Sequence, residues 1–145
     1  MPLGRSPAIL RPMESRNVEI VRRQFEALER GGVDAAAEFW HPDIEWCAVE
    51  GAVDDVGVIS GREAMRRYYQ DWVEMIDDLR GGIEDVVYDS GEILVAVLFN
   101  SGRGRGSSIP IRGRYCVVYT IQDGLIVRGR EYETPERALE ALEAD

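Results

Sequence analysis

The stretch FWHPDIEWCAVEG, residues 39 to 51, gathers the chain's only histidine, two of its three tryptophans, one of its two cysteines and three carboxylates. Such residues could carry acid–base chemistry, because histidine titrates near neutral pH and a carboxylate in an apolar setting is shifted toward it. His41 precedes Pro42 at what reads as a helix end, however, where a histidine ordinarily caps the last carbonyls and faces solvent. The carboxylates carry more. Ile44, Trp46, Ala48 and Glu50 alternate with Glu45, Cys47 and Val49 at strand spacing, so Glu50 ends an otherwise apolar face. Near the other end of the chain Leu125, Val127, Gly129 and Glu131 form a similar row. They are expected to look inward while Ile126, Arg128, Arg130 and Tyr132 look out. Glu131 and Glu50 are therefore the candidate catalytic acids, with Glu131 moving a proton while Asn100 or Tyr115 polarises an oxygen. The plainer reading of either glutamate is a strand end that reaches solvent or pairs with an arginine.

Several chemistries are excluded or disfavoured by composition. All 17 basic residues are arginine, so no lysine can form a Schiff base or act as a general base. With one histidine and two cysteines in separate segments, no metal and no cofactor are expected, and Asp54-Asp55 reads as a turn rather than an ion site. Cys47 and Cys116 are expected as reduced thiols, which fits the cytoplasm. A net charge of −10 argues against nucleic acid as a partner. No apolar run approaches the about 20 residues of a membrane helix. SGRGRGSS, from Ser101, lacks the G-K-[ST] ending of a phosphate loop and reads as a mobile hairpin tip.

The elements that must position these residues follow from hydrophobic period. Residues 1–13 read as a disordered leader and 14–145 as one domain, with Met13 a candidate start. Val18, Val21, Phe25 and Leu28 mark a helix over Glu14 to Arg30 that ends at Gly31-Gly32, and VDAAAEFW forms a short second helix stopped by Pro42. After the strand from Ile44 and a turn over 51–60, S-G-R-E signals a third helix, with Ser60 as cap and Glu63 completing a capping box. Its stripe is Met65, Tyr69, Trp72, Ile76 and Leu79. Gly81-Gly82 then opens an antiparallel meander, IEDVVYDS, EILVAVLFN, SIPIRGRYCVVYTI and LIVRGREYE, broken at SG, SGRGRGS and QDG. Thr134 caps a closing helix whose first turn holds Pro135. Helices first and strands later indicate an α+β class, a cone-shaped curved antiparallel sheet wrapped by three N-terminal helices with a short C-terminal helix.

This order, with FWHPDIEW after a G-G-V-D helix start, the S-G-R-E start and the ending QDGLIVRGREYETPERALEAL, resembles the nuclear-transport-factor-2-like superfamily. Within it the chain is most similar to SnoaL-like polyketide cyclases, ketosteroid isomerases and limonene-epoxide hydrolases. The resemblance implies a deep pocket for a hydrophobic small molecule and a homodimer packed through the outer sheet face. The tyrosine and acids that ketosteroid isomerases use fall at Phe25, Ala48 and Val117, which lack those groups. Of the limonene-epoxide hydrolase set, Arg130-Glu131-Tyr132 keeps the pattern of the last strand with glutamate for aspartate, whereas the middle strand offers Leu98-Phe99-Asn100. The expected pocket wall is Phe25, Trp46, Ala48, Tyr69, Trp72, Leu98, Asn100, Tyr115 and Val117. Two functions follow, a cofactor-independent isomerase, cyclase, dehydratase or hydrolase, or a non-catalytic binding or dimerisation module.

Overall fold

A computed structural model describes residues 14–48 and 57–144. Glu50, Val49, the 51–56 part of the turn, Asp54-Asp55, the 1–13 leader and Asp145 lie outside the described residues. Helix α1 (Arg16–Ala36) starts where the Ser15 hydroxyl accepts the Val18 N–H at 3.1 Å. Ile20, Val21, Gln24 and Phe25 recur on its buried side. At Gly32 the backbone turns to φ 77°, ψ −167°, which divides α1 into the two expected helical pieces. A positive φ here suits glycine, because a side chain would be strained. A 3₁₀ turn (Ala37–Phe39) closes the second piece.

Strand β1 (Trp40–Cys47) follows at once, one residue into the expected helix. His41 therefore sits in a strand rather than at a helix end, and its Nδ1 accepts the Asp43 N–H at 2.9 Å. A three-residue strand, β2 (Val58–Ser60), occupies the end of what composition marks as turn, and it buries Ile59 against β1. Because Ser60 is held in the sheet opposite Glu45, it does not cap the next helix. That helix, α2 (Arg62–Met75), begins at Gly61 with no side-chain cap, and Glu63 pairs with Arg66 instead.

The expected helical stripe is interrupted after Met75, where Ile76 takes an extended conformation and opens β3 (Ile76–Ser90). Ile76 and Leu79 thus belong to a strand, and Gly81-Gly82 lies inside it. The helix-period match was real, but sheet pairing to β4 (Ile93–Gly104) overrides it, with Gly81 opposite Asn100 and Gly82 opposite Phe99. Strand β4 runs on through Gly104 into SGRGRGSS and pairs there with the start of β5 (Pro110–Gln122), leaving a shorter hairpin tip than composition suggests. Asp123 (φ 53°) and Gly124 (φ 80°) make a two-residue turn into β6 (Leu125–Tyr132), the conformation that aspartate-glycine favours in hairpins. Helix α3 (Pro135–Ala144) ends the fold, and Thr134 Oγ1 accepts the Arg137 N–H at 3.2 Å as its cap.

The six strands form one unclosed sheet in the order β2-β1-β6-β5-β4-β3. The sheet is mixed rather than wholly antiparallel, because β1 enters it parallel to β6. The inner face packs on α1 and α2 around Val21, Trp40, Ile44, Met65, Leu94, Leu98, Val117 and Ile126. A second, smaller cluster of Val95, Cys116 and Ala138 lies under α3.

Candidate functional site

One cavity of about 240 Å³ opens between the two long helices and the sheet. Its apolar wall comes from Phe25 and Leu28 on α1, Tyr68, Tyr69 and Trp72 on α2, and Leu79 on β3. Asn100, Tyr115 and Glu131, one from each of the next three strands, supply polar groups, and Arg80 and Gly81 complete the lining. Phe25 can lean onto β3 because Gly81 has no side chain, and a Cβ there would lie 3.1 Å from the ring.

Glu131 reaches this wall through an irregularity in its strand. Thr120 faces Arg128 and Ile121 faces Ile126, so Val127 is an extra residue in β6. A bulge of this kind reverses which side chains face the core. Ile126 is consequently buried, whereas Leu125 and Val127 are partly exposed, against the inward row expected of them. Past the bulge Gly129 and Glu131 face inward, and Arg128 and Arg130 face out.

Trp46 lies beneath the carboxylate and donates its indole N–H to Glu131 Oε2 at 2.7 Å. Its ring covers Gly129 and meets Tyr119 edge-on, with centroids 5.8 Å apart. Burial raises the Tyr69 hydroxyl well above the ordinary tyrosine range, and the Glu131 charge raises it further. Tyr119 is raised by burial too, with smaller contributions from Tyr69, Tyr115 and Glu131. These phenols stay protonated at neutral pH and can donate hydrogen bonds. Trp40 stacks edge-on with Tyr69 at 5.0 Å and gives its own N–H to Gln24 at 3.2 Å.

Of the residues singled out in the sequence, Phe25, Tyr69, Trp72, Asn100, Tyr115 and Glu131 come together on the cavity. Trp46, Leu98 and Val117 are buried behind it, so they support the wall without forming it. Ala48 lines a second, more open cleft with Cys47, which Glu131 also reaches. Leu28, Tyr68, Leu79, Arg80 and Gly81 were not foreseen. Leu28 could have been found one helical turn beyond Phe25, whereas the misplaced helix end concealed the β3 residues. Among the described residues, no three His, Cys, Asp or Glu side chains gather where they could hold a metal.

Residues 21–129 match the SnoaL-like domain. The chain belongs to that family. No curated protein matches it. Solved structures share the SnoaL-like fold at low identity. A Mycobacterium tuberculosis protein in complex with estradiol-17beta-hemisuccinate superposes with a TM-score of 0.71 at 16% identity, covering 85% of this chain and 97% of its own. TerC, co-crystallized with polyporic acid, gives 0.69 at 16% identity over 89% of this chain and 99% of its own. A protein of ketosteroid isomerase-like fold from Catenulispora acidiphila, in complex with trimethylamine, gives 0.66 at 17% over 81% and 86%.

Proposed function

We propose that the cavity binds a compact hydrophobic molecule and that Glu131 acts on it as a cofactor-independent general acid–base. The observation that carries this reading is a single carboxylate set in a largely aromatic and aliphatic wall beside Asn100, Tyr115 and Tyr69. An indole N–H can only donate, so Glu131 Oε2 accepts from it, and that bond fixes the direction of the carboxyl group that exchanges the proton. Asn100 or Tyr115 would polarise the substrate oxygen as charge develops on it. Isomerisation, cyclisation, dehydration and hydrolysis all fit this arrangement. The small molecules held by structural neighbours support a ligand in the same cone. A homodimer through the outer sheet face and a cytoplasmic location complete the proposal.

The test is a thermal-shift panel of steroids, aromatic polyketides, terpene epoxides and fatty acids on the wild type and Glu131→Gln. Glutamine keeps an acceptor for Trp46, so the variant should fold. A ligand of the native state raises the melting temperature. We expect a hit whose shift shrinks in Glu131→Gln and whose turnover, followed by chromatography, disappears. A panel without hits overturns the reading. A hit with no turnover and no sensitivity to Glu131 leaves a binding module, the reading favoured by Phe25, Ala48 and Val117 at the places of the ketosteroid isomerase groups.

A further inference from the structure

We propose that Arg80 selects an occupant carrying an anionic group at its outer end, so that the ligand class is a ring-bearing organic acid. This rests on the binding reading above. Among the described residues lining the cavity, Arg80 is the one cation and Glu131 the one anion. They stand on β3 and β6, three strand spacings apart, on the order of 14 Å measured along the curved sheet. An anion placed against Glu131 would be repelled, whereas at Arg80 it gains a guanidinium whose planar fork can hold a carboxylate through two hydrogen bonds. The polarity of the wall therefore fixes the ligand's direction, with a hydroxyl or carbonyl inward and the acid outward.

Arg80 Nη1 is held by Glu29 Oε1 at 3.1 Å, with the two side chains 69% and 37% exposed. Glu29 adjoins Leu28 and Arg80 adjoins Leu79, both on the cavity wall, so the pair lies across its rim. So exposed an ion pair is weak, and a ligand carboxylate can take the place of Glu29 at little cost. The neighbouring acids do not compete for Arg80, because Asp77 is paired with Arg105 at 2.9 Å and Asp78 with Arg103 at 2.6 Å.

The test compares a hydroxynaphthoate with the matching naphthol, two probes that differ only in the carboxylate, by titration calorimetry on the full chain. The wild type should bind the acid at least about fivefold tighter, a gap that narrows as salt is raised. In Arg80→Gln the ratio of the two affinities should fall to within about twofold, and in Glu29→Gln it should widen. Both sites are on the surface, and circular dichroism checks that the variants fold. Equal affinities in the wild type, or a preference that survives Arg80→Gln, overturn the proposal while leaving naphthol binding as support for the cavity. Failure of both probes to bind overturns this proposal and the binding reading together.

Discussion

Glu131 could be picked out from its place after Leu125, Val127 and Gly129, yet that reasoning used a phase that the bulge at Val127 later reversed. The inward direction holds only because the irregularity falls before Gly129, so the residue was legible and its route to the cavity was not. Arg80 left no comparable trace, since an arginine before two glycines looks like a loop. The two cysteines show how a common residue type divides by environment. Cys47 is partly exposed, whereas burial, opposed by a hydrogen bond from the Val117 backbone and aided by Glu136, pushes the Cys116 thiol from 9.0 up to about 11. Below pH 9 the folded and unfolded chains both keep this proton. Between pH 9 and 11 only the unfolded chain releases it, so stability is lost as pH rises through that window. The urea midpoint should accordingly fall from pH 9 to 11, and less steeply in Cys116→Ala. Equal slopes in the two proteins would show that the thiol plays no part, leaving the raised Tyr69 and Tyr119 hydroxyls as the source.

At the scale of elements, period and turn chemistry carried most of the fold. The α1 stripe, the break at Gly32, the aspartate-glycine hairpin and the Thr134 cap all stand where local residue types place them. What failed was decided by partners distant in sequence. Ser60 was taken into the sheet by Glu45, and Ile76 by Gly104 across β4. Gly129 is a similar case, because its role is visible only once Trp46 lies over it. A methyl group at 129 would run into the indole ring, which must then move away from β6 and loosen its hydrogen bond to Glu131. Gly129→Ala should lower stability by about 1–3 kcal/mol in urea unfolding, the usual cost of overpacking a core. An unchanged midpoint would mean that Trp46 is held less firmly than the packing implies.

The molecule as a whole combines a legible class with a pairing that no local pattern reveals. Helices followed by strands gave α+β, but the parallel contact of β1 with β6 joins segments some 80 residues apart and leaves no periodic mark. The proposed dimer belongs to this scale. Helix α3 already covers Val95 and Cys116 on the outer sheet face, so a second chain would meet the remainder, where Arg112 and Arg114 are exposed and Arg114 pairs with Glu84. Light scattering should give twice the mass of one chain at micromolar concentration, and a single-chain mass would remove that face as an interface.

Among the described residues the sheet does not close, and β3 leaves 15 residues along one margin. A long free margin is ordinarily a template on which further chains can add, the first step toward fibrils. Here its pairing with β4 is broken by register shifts at three points, and Asp85 and Asp89 stand along its outer half. Kinks and like charges make it a poor surface for another copy to zip onto. The chain can thus hold a hollow in its interior and an unsealed rim without inviting polymerisation.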